Sequence, residues 1–115
     1  MPINNDLLLI LKSSTLGEGE IDLGETLMEK FLNSLFESGN LPARIICMNS
    51  AIFLTTAGSH FNDILSKFEL EGTMILSCST CLEYYKRVDQ LRVGKATTMK
   101  ETVSSMLSFG RVISL

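Results

Sequence analysis

Short runs of consecutive apolar residues alternate along this chain with longer segments whose apolar residues recur every three or four positions. Leu7-Leu8-Leu9-Ile10-Leu11, bounded by Asp6 and Lys12, is the continuous run of a strand buried on both faces. The next stretch, residues 13–20, is rich in turn formers and carboxylates. Asp22, with Glu25 at capping-box spacing, opens a predicted helix. Leu23, Leu27, Phe31 and Leu35, joined by Met28 and Leu32, carry its helical period as far as Phe36. Gly39-Asn40 ends it and Pro42 resets the chain.

Ala43-Arg44-Ile45-Ile46-Cys47-Met48-Asn49 reads as a second strand, and residues 54–59 as a loop. Ser59 is the expected N-cap of a helix carrying Phe61, Ile64, Leu65 and Phe68, and Gly72 closes it. Met74 to Ser77 forms a third strand. A helical turn or two follows from near Leu82 to Lys86, with Thr80 and Glu83 at capping-box spacing. Leu91-Arg92-Val93-Gly94 is a short fourth strand or a loop. Thr98 and Glu101 cap a further helix that turns Val103, Met106 and Leu107 inward, and residues 112–115 make a terminal strand. Connections too long for hairpins imply parallel strands, right-handed crossovers and helices on both sheet faces. The expected fold is therefore α/β: a three-layer α/β/α sandwich around a mostly parallel sheet of four or five strands, as one domain over residues 1–115.

Composition narrows the function classes. The net charge of −3, with no basic cluster, argues against nucleic acid as a ligand. No apolar run approaches the roughly 18 residues of a membrane span, and residues 7–11 lack a signal peptide's basic flank, so the cytoplasm is the expected compartment. A mean hydropathy of +0.25 is high for a small domain and points to a face covered by another subunit, so a homo-oligomer is expected. Ile52, Phe53 and Leu54 sharpen this expectation: in a strand-end loop they must fold back over the site or meet a neighbouring subunit.

The chemistry concentrates at Cys78-Ser79-Thr80-Cys81, between the third strand and a helix start. In open parallel sheets, ligands gather beyond the carboxyl ends of the strands. One reading makes Cys78 a nucleophilic thiolate favoured by the helix dipole, with Cys81 able to resolve it as a disulfide. The other makes both small buried hydrophobes. Structural zinc needs four ligands, and only Cys47 and His60 remain as Cys or His, Cys47 within a buried strand; no metal is expected. His60 is a candidate base for Cys78 or a surface residue at a helix start. Asn49 either aims its amide at a ligand or caps a turn. Gly17-x-Gly19 lacks the third glycine of a dinucleotide fingerprint and has acidic neighbours. No Ser/His/Asp triad or P-loop can be assembled.

Four segments occur in family-like order: Asp22-Leu23-Gly24-x-x-Leu27-Met28-x-x-Phe31-Leu32-x-x-Leu35; Leu54-Thr55-x-x-Gly58-Ser59; Cys78-x-Thr80-Cys81-Leu82-x-Tyr84-Tyr85; and Leu91-x-Val93-Gly94-x-x-Thr97. Through them the chain resembles the DsrE/F-like sulfur-transfer family, in particular the C-terminal domain of YedF-type proteins of selenium metabolism. The resemblance implies a persulfide or perselenide carrier. Cys78 would receive sulfur from a donor protein and pass it to an acceptor, with a TusA-like protein as partner and no organic cofactor. Two other functions stay open: a thiol–disulfide redox domain that depends on Cys81, and a non-catalytic partner-binding subunit.

Overall fold

The computed structural model describes residues 2–115. Five strands form one sheet in the order β4-β3-β2-β1-β5, with every adjacent pair parallel. They are β1 (Ile3–Leu11), β2 (Leu41–Cys47), β3 (Met74–Cys78), β4 (Lys95–Thr97) and β5 (Arg111–Ser114). Helices α1 (Ile21–Glu37), α2 (Phe61–Glu71), α3 (Ser79–Tyr84) and α4 (Met99–Ser108) link them, with two 3-10 turns at Asn49–Leu54 and Val88–Gln90. The expected α/β sandwich is the observed one.

The strand period of two sorts the central side chains between two faces. Leu9, Leu11, Ile45, Cys47 and Ile75 join Met28 and Leu32 of α1 and Ile64, Leu65 and Phe68 of α2 in the larger core. Leu8, Ile10, Ile46 and Leu76 point the other way and form a smaller cluster with Met48 and Phe109. Register aligns Ile75, Ile45, Leu9 and Ile113 across four strands, so both faces stay apolar through the middle of the sheet.

Helix α4 differs from expectation. Val103, Met106 and Leu107 face outward, and Leu107 is 83% exposed, whereas Thr102 and Ser105 are buried. Arg44 explains the inversion. It projects from β2 onto this face, donates to Ser105 Oγ at 2.7 Å and lies 5.5 Å from the Phe109 ring centroid. A half-buried guanidinium needs an acceptor, so the hydroxyl stripe of α4 turns inward and its apolar stripe is left outside.

Several boundaries also move. Helix α1 begins at Ile21 after Glu20, and the Asp22 carboxylate accepts from its neighbour Leu23 N–H instead of capping the helix. His60 occupies the N-cap of α2, with Ser59 Oγ accepting from Phe61 N–H. Strand β2 starts at Leu41, so Pro42 lies inside it. Pro42 has no N–H for the ladder, and the β1–β2 register shifts between Asn4 and Leu8. The fourth strand is Lys95–Thr97, because Leu91 is instead bridged to Thr56 across the neighbouring turn. The Thr98–Glu101 cap forms as expected, with Thr98 Oγ1 accepting from Glu101 N–H at 3.2 Å. Among the described residues, no helix is long and apolar enough to cross a membrane.

Candidate functional site

The carboxyl ends of β2 and β3 lie side by side, with Cys47 paired to Ser77 in register. One residue beyond each pair partner stand Met48 and Cys78. Helix α3 begins immediately after Cys78, so Thr80 lies within its first turn and caps nothing. This early start fixes the relation of the two thiols: Cys78 takes the N-cap position and Cys81 stands three residues on, within the first turn of the helix.

Their exposures differ. Cys78 completes β3 and is 4% exposed, less than its strand-end position implies, whereas Cys81 is half-buried. Cys81 lines a pocket of about 360 Å³ with Asn49, Thr80, Tyr84 and Tyr85. The backbone N–H of Asn49 donates to Cys81 Sγ at 3.1 Å. Asn49 holds a left-handed φ of 55° and its side chain is exposed. The group that reaches the Cys81 sulfur is the main chain of Asn49, a donor the sequence does not display. Burial, first, and the Cys78 thiol, second, push the Cys81 thiol above its ordinary value, and the Asn49 N–H opposes both.

A buried hydroxyl relay holds the floor of this site. Ser77 Oγ and Thr55 Oγ1 lie 2.7 Å apart, and Thr55 donates onward to the Ile52 carbonyl at 3.1 Å. With Thr55 Oγ1–H committed to Ile52, the Ser77 hydroxyl is the donor between them. The Thr55 carbonyl in turn accepts from Arg92 and Val93 N–H groups. Residues 49–55 are thereby tied to the end of β3 on one side and to the segment before β4 on the other. Ile52 and Leu54 are buried, so the apolar loop folds back. Phe53 packs edge-on against Tyr85 at 4.7 Å, and the Arg87 guanidinium lies 4.9 Å from its ring centroid. Tyr85 is held from behind, while Tyr84 is 79% exposed at the mouth of the pocket.

The other sequence candidates lie elsewhere. His60 is exposed, sits 3.7 Å from Glu29 and lines a separate pocket with Ser14, Glu25 and Phe53. Cys47 is fully buried in β2, where burial alone raises its pKa to about 12. Among the described residues, no group of three His, Cys, Asp or Glu side chains could hold a metal ion. Sequence reasoning named both thiols but missed the Asn49 N–H and the Ser77–Thr55 pair. A signal for the first existed, since Asn after a strand is one of the few residues that tolerates left-handed backbone.

No family model matches the sequence, and no curated protein matches it. Solved structures do share the fold. The ychN protein from E. coli superposes with a TM-score of 0.67 at 15% identity, covering 97% of this chain and 100% of that one. MTH1491 from Methanobacterium thermoautotrophicum, described as a protein of unknown function, gives 0.70 at 10% identity over 97% and 100%. BT1422 from Bacteroides thetaiotaomicron, a conserved protein of unknown function, gives 0.62 at 18% identity over 96% and 95%. At these identities the likeness establishes the fold.

Proposed function

We propose that this chain is a carrier of sulfane sulfur or selenium that uses the Cys78/Cys81 pair. The observation that carries the reading is the pair itself: two free thiols bracketing the helix start at the end of a central strand, one opening on a pocket that supplies an N–H donor to sulfur. The four DsrE/F- and YedF-like segments support the same reading. The donor and acceptor are proteins of the TusA-like kind, and the setting is the cytoplasm.

Loading from a cysteine desulfurase, followed by alkylation and peptide mapping, tests this. We expect one added sulfur within the peptide that holds Cys78 and Cys81, and none on Cys47. A second reading, thiol–disulfide exchange, is favoured by two free thiols at Cys-x-x-Cys spacing across one helix start. It predicts a reversible Cys78–Cys81 disulfide with no retained sulfur. A protein that shows neither modification is a binding subunit, and the carrier reading then fails.

We propose that the homo-oligomer expected from composition uses the exposed apolar stripe of α4. Met99, Val103, Met106 and Leu107 form one outward stripe, with Val112 and Leu115 also exposed. Each large side chain left in water forgoes about 1.5–3 kcal/mol of burial. A second copy of the chain is the proposed cover. Sedimentation at micromolar concentration should show association, and Leu107→Lys should shift the protein to monomer. A wild-type protein that is monomeric across that range refutes it.

A further inference from the structure

Within the carrier reading, on which this rests, we infer that Cys81 and not Cys78 is the thiol that meets the donor, and that the Asn49 backbone N–H steadies its sulfur. Attack on a persulfide requires the acceptor sulfur to approach the donor's outer sulfur along the S–S axis, so access decides between two adjacent thiols. Cys78 is 4% exposed, sealed at the end of β3, whereas Cys81 opens on the pocket. The outer thiol receives and the inner one waits behind it.

Asn49 supplies the second argument. After β2 the chain turns at a left-handed residue that is not glycine, a conformation that surrounding structure must hold in place. Met48 N–H is bonded to the Leu11 carbonyl, and Ala51 N–H to the Met48 carbonyl, so both sides of Asn49 are pinned. The result is an N–H that points at Cys81 Sγ from 3.1 Å. A neutral thiol is a weak acceptor, and the same bond strengthens when sulfur carries charge. The N–H therefore favours the attacking Cys81 thiolate, working against the burial that opposes it.

The step balances without an oxidant or reductant. The Cys81 thiolate attacks the outer sulfur of a donor persulfide, R–S–SH. The Cys81 Sγ–S bond forms as the donor S–S bond breaks. Cys81 becomes Cys81–S–SH, and the leaving R–S⁻ takes up the proton that Cys81 released. Tyr84 and Tyr85 flank the approach with aromatic surface, which suits polarizable sulfur. The substrate class is thus a persulfide whose outer sulfur can enter the pocket lined by Cys81, Tyr84 and Tyr85.

Glutathione persulfide is the probe. A short pulse at neutral pH, quenched with iodoacetamide and mapped by mass spectrometry, should place sulfur on Cys81 at least about ten times more often than on Cys78. Cys81→Ala should lose loading by a similar factor while circular dichroism stays unchanged. The Asn49 amide proton should be among the most shifted resonances when wild-type protein is loaded. Sulfur on Cys78 with Cys81 recovered as a free thiol overturns this inference and leaves the carrier reading standing, as does wild-type loading of Cys81→Ala. Sulfur on neither residue overturns both. An unmoved Asn49 amide removes the role given to its N–H.

Discussion

Gly94→Ala should lower the unfolding free energy by about 2–5 kcal/mol, a left-handed backbone penalty joined to an overpacking one. Gly94 has φ +71°, and a Cβ there would drive into the carbonyl oxygen of Ile75 on the adjacent strand. The backbone cannot yield cheaply. Val93 N–H is bonded to the Thr55 carbonyl just before it, and β4 pairs with β3 directly after it. Movement there would reach Thr55 and through it Ser77, the residue that precedes Cys78. Gly39→Ala is the control. Its φ of +74° carries the same backbone penalty, but a Cβ meets nothing within 4 Å, so its cost should stop at about 1–2 kcal/mol. Urea unfolding of the two variants decides the matter. Equal losses would show that the contact with Ile75 is not the constraint.

Stability should fall steeply in alkali, and Cys47 should account for much of that fall. Its pKa is about 12 in the fold against 9.0 as the ordinary value. The folded protein therefore keeps a proton that the unfolded chain releases. The full contribution is present below about pH 9, and it declines by about 1.4 kcal/mol per unit as pH rises towards 12. Over that range the loss approaches about 4 kcal/mol. Cys47→Ala should be less stable near neutrality, because it leaves a small void, yet have a flatter profile above pH 9. A profile of unchanged steepness would mean that other groups control alkaline unfolding. The same burial should keep Cys47 inert to alkylating reagents while the protein is folded.

The residues that were legible in advance share a physical basis. Leu7 to Leu11, Ile45, Ile46, Ile75 and Leu76 formed strands because unbroken apolar runs have few other ways to leave water. Met28, Leu32, Ile64, Leu65 and Phe68 are buried in the predicted helices, but Leu23 and Leu27 of the expected α1 stripe are exposed, because Gly24, Met28 and Leu32 form the side turned to the sheet. Thr98 capped α4 because a hydroxyl beside free N–H groups is a local matter, independent of the rest of the chain. Where two local signals competed, the forecast slipped. Thr80 and Glu83 had capping-box spacing, yet α3 started at Ser79, since the chain leaving β3 turns directly into the helix. In α4, an apolar stripe and a hydroxyl stripe were both available, and pattern alone favoured the apolar one.

The sequence by itself determined the alternation of strands and helices, the parallel sheet, the larger core and the placing of two thiols between the third strand and the helix after it. These follow from short-range periodicity and from the need to bury apolar surface. Tertiary structure decided what depends on residues distant in the chain. Arg44 of β2 chose which side of α4 faces the sheet, by needing the Ser105 hydroxyl. The strand order set Asn49 beside Cys81, 32 positions away, and aimed a main-chain N–H at sulfur. The close of β3 buried Cys78 and left Cys81 at the pocket. A backbone donor has no letter in the sequence, and exposure belongs to the packed whole, so only the fold could assign either.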